Sequence, residues 1–582
     1  MDQQWSLARY RNTSILGFTP DGASLYRISN EDGQQDLWVD GSRLTDLRER
    51  VARRFVVEPS GSVILAADRY GDENFQLYRV TRDGGISDLI VREGVQHHLR
   101  ARSLSRDGRR LAYSANHRDR GNVEVVVREL SSGEERVVLG GEAWHVVGDW
   151  SPDARLLLAS RVQDNTDQDL FLVDVRSGEA THLTPHEGDR KHFPIGFDAS
   201  GDAIYFLTDC DAEFLWLARM DLRSKRVEPV VRESWDVLFA RLDRDARTLV
   251  WVVNEDGASR LVGRDERTTQ PLAIAPLPRG CINDAAVSAD GARIAVQWSS
   301  TAAPWRTRVH ERGEWRDVDA TRITYRGELA PDAPIRVPGP RGDIPALLIR
   351  PRASERVPLV VHVHGGPEDQ ERARYVALHQ YLAARDIAVL VPNIHGSTGY
   401  GSSWQRAIHL DWGGVDLADI EALAKWACAQ PWVDADRIAI FGGSYGGFAT
   451  LSAVTRLPRY WRVAVDAFGP SDLVSFVSRA APSWRRFMRR WVGDAEADAE
   501  KLRERSPLTY AENVRCPLLV LAGASDPRVR KAESDQFVKR MRELGKDVAY
   551  VEESATGHGW TTQAAYRAAY ARIADFLVTH LL

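Results

Sequence analysis

The sequence predicts two domains of different class: a seven-bladed β-propeller over residues 1–325, and an α/β domain with a mainly parallel, doubly wound sheet over 326–582. Three observations predict it. A turn signature recurs seven times through the N-terminal half, near-continuous apolar runs alternate with helical stretches in the C-terminal half, and a glycine-rich serine turn sits between one such run and a helix. A chain of 582 residues is also too long for one ordinary domain.

The turns are Pro20-Asp21-Gly22, Pro59-Ser60-Gly61, Arg106-Asp107-Gly108, Pro152-Asp153-Ala154, Ala199-Ser200-Gly201, Arg244-Asp245-Ala246 and Ala289-Asp290-Gly291. Their third positions lie 39 to 47 residues apart, close to the length of a four-stranded blade. Strand-like runs follow them, such as Leu111-Ala112-Tyr113-Ser114 and Ala203-Ile204-Tyr205-Phe206-Leu207. Asp169 to Asp174 alternates polar and apolar at its start. One small sheet cannot bury both of its faces, and radial packing against neighbours solves that problem.

From about Arg326 the pattern changes. Runs such as Leu359 to Val363, Ile387 to Val391, Arg437 to Phe441, Val463 to Asp466, Leu518 to Leu521 and Val548 to Val551 read as buried strands. Helical stretches, Val415 to Ala429 and Lys531 to Leu544 among them, lie between. Pro331 to Gly342, rich in proline and glycine, reads as the junction of the two halves.

Composition narrows the partners. Hydrophobic residues make up 43% and charged residues 27%, and 77 basic against 82 acidic residues leave a formal charge of −5. That balance points to neither nucleic acid nor an anionic membrane. No run approaches a membrane span, and Met1-Asp2-Gln3-Gln4-Trp5 lacks the basic and apolar regions of a leader. Cys210, Cys281, Cys428 and Cys516 are scattered, so a cytoplasmic protein with reduced thiols, no metal and no cofactor is expected. A homo-oligomer is left open.

The chemistry gathers at Phe441-Gly442-Gly443-Ser444-Tyr445-Gly446-Gly447. A G-x-S-x-G string between a strand and a helix is a nucleophile elbow: the sharp turn lifts the serine oxygen clear of the sheet, and the glycines let backbone approach closely. Serine then needs a base. The chain order expected for this architecture is Ser, then Asp or Glu, then His. Downstream of Ser444 only His558 and His580 are available. His558 sits in the loop Ala555-Thr556-Gly557-His558-Gly559, whereas His580 is near the end of a helical tail. Asp526 follows the strand Leu518 to Leu521 and is preferred over Glu552 and Glu553 as the acid that orients the imidazole. Two donors must meet the oxyanion: the Tyr445 N–H, and an N–H of the loop His364-Gly365-Gly366-Pro367.

A propeller joined to such a hydrolase domain resembles the prolyl oligopeptidase family over nearly the whole chain. Its acylaminoacyl-peptidase branch is suggested by His364-Gly365-Gly366-Pro367, by Pro392-Asn393 followed by Gly396-Ser397-Thr398-Gly399-Tyr400-Gly401, by Asp411-Trp412-Gly413-Gly414, and by the elbow. The resemblance implies a serine peptidase acting on short peptides, with Ser444, Asp526 and His558 as triad and the N–H groups of Gly366 and Tyr445 as oxyanion hole. It further implies that Arg528 binds a substrate carbonyl and that Trp484 and Phe487 line the pocket beside the scissile bond. The chain departs from the family at Ile394-His395 and at Arg530, which leaves open the peptide end recognised.

In Trp484-Arg485-Arg486-Phe487-Met488-Arg489-Arg490-Trp491, helical spacing puts the aromatics on one face and stacks Arg485 with Arg489 and Arg486 with Arg490. Two readings follow: a solvated basic face, or a carboxylate-binding patch that includes Arg485 and Arg489, joined by Arg528 or Arg530, and that would make the enzyme carboxypeptidase-like. A carboxylesterase uses the same machinery, and an inactive propeller scaffold is the remaining alternative.

Overall fold

A computed structural model describes residues 13–320, 327–352, 356–554 and 556–582. The boundary expected at 325/326, the leader reading of the first five residues, and Ala555 fall outside them.

Seven consecutive sheets, over 13–43, 50–90, 97–139, 144–182, 192–231, 237–265 and 281–320, form the blades. Six have four strands. The sixth has three, because its fourth position is occupied by a segment with Pro271, Pro276 and Pro278, whose missing N–H groups cannot sustain a ladder; only one isolated bridge forms there, Arg264 to Pro271. Each of the seven signature turns joins the first and second strand of its blade. Their third residues all have φ between +54° and +83°. Five are glycines, while Ala154 and Ala246 accept the steric cost. The turns are pinned from within: the Ser105 hydroxyl donates to Asp107 (2.6 Å) and accepts the Arg110 N–H (3.0 Å), and Ser151 and Ser288 repeat the pattern.

Each blade buries one face against the next, as where Tyr26, Ile28 and Leu37 of blade one meet Phe55 and Leu65 of blade two. Among the described residues the ring closes through side chains, with no strand shared between the first and last blades. Leu16 and Leu25 pack on Ala286, Ala295 and Val309, the Leu16 N–H donates to Asp284 (3.0 Å), and Arg27 reaches Asp319 (2.7 Å).

The second domain is one eight-stranded sheet: β1 (Asp332–Gly339), β2 (Gly342–Ile349), β3 (Val357–Val363), β4 (Ala388–Pro392), β5 (Val433–Gly443), β6 (Val463–Ala467), β7 (Leu518–Gly523) and β8 (Val548–Glu553), in the order β1-β2-β4-β3-β5-β6-β7-β8. β1, β2 and β4 pair antiparallel, and the remaining pairs are parallel. The proline-rich segment 331–342 is therefore not a free junction but mostly strand β1. It lies at the sheet edge, where Pro334 and Pro338 are tolerated.

Alternation assigns the two faces. Leu359, Val361, Ile438 and Ile440 join the core under α2 (Val415–Ala429), α3 (Tyr445–Arg456) and α5 (Ala532–Glu543). Val360, Ala439 and Phe441 join the core under α1 (Ala377–Ala383) and α6 (Gln563–Leu581). A short helix, α4 (Arg485–Trp491), completes the set used below.

The domains meet on one face of the propeller, through the hairpins that join the second and third strands. All seven blades contribute. Gly33 accepts from Gln563 N–H (2.7 Å), Glu73 pairs with Arg528, and Asn122 meets Arg486 (3.4 Å). Asn165 donates to Glu368 (2.7 Å), Asp209 accepts from Ser402 (2.7 Å), Asp256 accepts from Tyr400 (3.1 Å), and Thr301 accepts from Gln380 (3.0 Å). The signature turns lie at the opposite end of the same strands.

Candidate active site

Ser444 stands between β5 and α3 with φ 58° and ψ −123°, a conformation that costs energy for a residue with a Cβ. Its N–H is tied to Ala467 O on the neighbouring strand (2.8 Å). The elbow leaves no room for side chains: a Cβ at Gly442 would run into the Gly446 carbonyl, and one at Gly446 into that of Val363.

The Ser444 Oγ lies 2.9 Å from His558 Nε2, and His558 Nδ1 lies 2.7 Å from Asp526 Oδ2. Asp526 is buried in the loop after β7. Its other oxygen accepts the N–H groups of Arg528 (2.8 Å) and Val529 (2.9 Å), which fixes the carboxylate plane. The Phe468 ring, 5.0 Å from the imidazole, supports His558 from the side. The rival groups are engaged elsewhere. Glu553 is paired with Arg572, Glu552 with Lys531 (3.2 Å), and His580 packs on Phe576 (4.7 Å between rings).

Tyr445 begins α3, so its N–H has no intrahelical acceptor to compete for it. Its hydroxyl is anchored below the elbow by Asp416 (2.7 Å) and its ring by Trp412 (4.8 Å). The loop Gly365-Gly366 runs alongside. A Cβ at Gly365 would come 3.3 Å from Gly443 O and 3.6 Å from Ser444 Cβ. Gly366 has φ +123°, a conformation open to glycine, and a Cβ there would crowd Glu368 N at 2.8 Å. The Gly365 backbone thus lies beside Ser444, which the Tyr445 N–H directly follows.

Arg528 is held by Glu73 of blade two at 2.7 Å, and its guanidinium lies 5.5 Å from the Trp484 ring centre. Trp484 and Phe487 face a cavity of about 760 Å³ between the propeller axis and the catalytic domain, and Phe487 also contacts Trp144 of blade four (5.8 Å). The aromatic face of the 484–491 segment is therefore where the spacing put it.

Its arginines are partly taken up by carboxylates of the protein itself. Arg490 is consumed by Asp164, Asp167 (3.2 Å) and Asp189 (2.6 Å) of the propeller, and Arg489 pairs with Asp494 (3.1 Å). Arg485 and Arg530 are exposed, and none of the four lines the cavity. Helical periodicity separated the faces correctly, but it carries no information about the propeller carboxylates waiting opposite one of them.

Three further residues shape the site without a signal in the sequence. Glu73 lies 455 positions from its partner Arg528. Glu368, just past the Gly366 loop, gathers donors from Asn165 (2.7 Å), Gln405 (3.1 Å) and His409 (2.8 Å). Phe468 belongs to no motif. Among the described residues no group of three or more His, Cys, Asp and Glu side chains is arranged to hold a metal, and no helix is long and apolar enough to cross a membrane.

Residues 374–582 match the prolyl oligopeptidase family. Dipeptidyl aminopeptidase BIII of Pseudoxanthomonas mexicana is 29% identical over 577 residues, covering 93% of this chain and 83% of that protein. The acylamino-acid-releasing enzyme of Homo sapiens is 27% identical over 210 residues, covering 34% of this chain and 29% of that enzyme. Among solved structures, a puromycin-hydrolyzing peptidase of Mycobacterium tuberculosis superposes with a TM-score of 0.86 at 20% identity, covering 100% of this chain and 96% of that one. That likeness carries the fold: a propeller and a hydrolase domain in one chain.

Proposed function

We propose that this chain, whose residues 374–582 match the prolyl oligopeptidase family, is a serine peptidase that releases short N-terminal units from small peptides through an acyl-enzyme on Ser444. The observation that carries the chemistry is the continuous relay Ser444–His558–Asp526, at 2.9 and 2.7 Å. In this reading Ser444 Oγ attacks the scissile carbonyl while His558 Nε2 takes its proton. Asp526 keeps Nδ1–H directed to itself and stabilises the imidazolium. The N–H groups of Tyr445 and Gly366 receive the oxyanion. His558 then protonates the leaving amine, and water repeats the sequence on the ester. Arg528 takes a substrate carbonyl, with Trp484 and Phe487 shaping the pocket beside it.

The N-terminal direction is supported by likeness to a dipeptidyl aminopeptidase over most of both chains. The size limit is supported by the contacts that all seven blades make with the catalytic domain, beside a cavity of about 760 Å³ between the two. The carboxypeptidase-like alternative has less support, since Arg489 is paired with Asp494 and Arg490 with three propeller carboxylates. Mass spectrometry of digests of one peptide in free, N-acetylated and C-amidated forms tests the reading. Mono- or dipeptide units leaving from the amino end support it. Sequential loss from the carboxyl end, or no cleavage, overturns it.

A further inference from the structure

The innermost strands of the propeller carry a second cluster of polar side chains, away from the catalytic loops. Arg54 of blade two, Arg100 and Arg102 of blade three, Lys191 of blade five and Arg241 of blade six all line the 760 Å³ cavity that Trp484 and Phe487 close on the catalytic side. Three of these cations have partners. Arg241 pairs with Asp284 (2.8 Å), Arg102 with Asp149 (3.3 Å) and the Leu242 carbonyl (2.8 Å), and Lys191 with Gln405 (3.0 Å). The acidic groups on the wall are also accounted for: Glu368 holds three donors, and Asp236 accepts the Leu215 N–H (2.7 Å).

Arg54 and Arg100 are different. Among the described residues neither guanidinium makes a hydrogen bond or an ion pair, although they are near enough to influence each other electrostatically. Arg54 is half-buried and Arg100 is open to the channel. Arg54 lies within electrostatic reach of the Asp284 carboxylate, but Arg241 already holds that group, so an anion entering the channel would find two guanidinium groups not yet hydrogen-bonded. A guanidinium presents a fork of donors that matches a carboxylate in both shape and charge.

We propose that Arg54 and Arg100 form a carboxylate-binding site in the propeller channel, which takes a C-terminal or acidic side-chain carboxylate of a peptide at a point remote from the scissile bond. The proposal rests on the peptidase reading above and adds a substrate class to it: short peptides carrying a negative charge beyond the residues that flank Ser444. Trp484 and Phe487 line the same cavity as the arginines, so a peptide that extends past those rings enters the space they share.

The test compares three forms of one peptide: free acid, C-terminal amide, and an amide in which a distal Gln is replaced by Glu. Specificity constants are measured with wild type and with the double variant Arg54→Gln/Arg100→Gln, and active-site titration with a fluorophosphonate counts the functional enzyme in each preparation. One satisfied ion pair corresponds to a preference of about tenfold. Wild type is therefore expected to favour the free acid or the Glu form over the plain amide by about that factor, mainly through KM. Whichever form wins identifies the carboxylate as terminal or side-chain. In the double variant the ratio should fall to about one. Equal rates for all three forms in wild type overturn the proposal, as does a preference that survives in the variant. Binding of the free-acid and plain amide forms to Ser444→Ala, followed by calorimetry, gives the same comparison with the channel intact: tighter binding of the free acid supports the site, and equal binding of a peptide whose free acid is the favoured substrate overturns it. Failure of wild type to cleave any of the three would instead count against the peptidase reading.

Discussion

Arg528, two residues past the catalytic-acid candidate, is fastened to Glu73 of the second blade at 2.7 Å, so one ion pair joins the propeller to the loop that orients His558. Both partners keep some exposure, 44% for the Arg528 side chain and 19% for Glu73, and the pair is a modest contributor to stability. Its effect should appear in substrate binding. Arg528→Ala is expected to raise KM about tenfold, one hydrogen bond to a charged group, with kcat within a few-fold. Glu73→Gln frees the guanidinium and is expected to lower KM. A fall in kcat with KM unchanged would contradict both assignments.

The relay itself makes a sharper prediction. Asp526→Asn preserves the shape of the loop but presents the wrong hydrogen-bonding partner to Nδ1, and a loss in kcat of about 10⁴ is expected. Ser444→Ala should abolish fluorophosphonate labelling while leaving the thermal midpoint within about 2 °C of wild type, since a half-buried hydroxyl contributes little to packing. Labelling that persists would relocate the nucleophile.

Gly446 offers a test of the elbow that is independent of catalysis. Its absent side chain faces the Val363 carbonyl, a backbone atom of the central strand β3 that cannot swing away. Gly446→Ala is expected to lower stability by about 3 kcal/mol, at the upper end of overpacking costs, and is read by denaturant titration followed through tryptophan fluorescence. A neutral outcome would mean that α3 can shift along the sheet.

Acid sensitivity follows from an enclosed histidine pair. His362 Nδ1 and His379 Nε2 are 2.7 Å apart between β3 and α1, and Phe441 stacks on His362 at 4.6 Å. Burial lowers His362 to about 3 and His379 well below its ordinary value. The propeller adds His97 and His192, each lowered by burial to about 4. Each of these groups stays neutral in the folded protein while its unfolded counterpart takes a proton below about pH 6.5, so unfolding gains protons as the pH falls. Stability should therefore decline from about pH 6.5 down to the folded values, by about 1.4 kcal/mol per pH unit for each histidine. A thermal midpoint that is flat from pH 7 to pH 5 would refute this.

Much of the fold was legible because repetition multiplies weak signals. One such turn means little, but seven at blade spacing specify a ring, and all seven fall between the first and second strands. The elbow was legible because strand, serine, glycines and helix are contiguous. His558 and Asp526 could be found because the order of a parallel sheet fixes which loops reach the same end. What stayed hidden depends on closure in three dimensions. Arg490 sits on a basic face in a helical projection but meets Asp164, Asp167 and Asp189 in space, and most of the junction segment 331–342 is an edge strand that accommodates Pro334 and Pro338.

The two ends of the propeller strands carry different constraints. Hairpins such as 70–75 and 165–166 touch the catalytic domain, and a change there is felt at Arg528 or Glu368. The signature turns sit a full strand away, about 20 Å for six residues. The turn 199–201 is thus a permissive insertion point, where an affinity tag, a fluorophore or a surface-attachment handle could be built in without reaching the chemistry. The same geometry leaves the distal rim free to drift in sequence while the proximal rim is held to its partner.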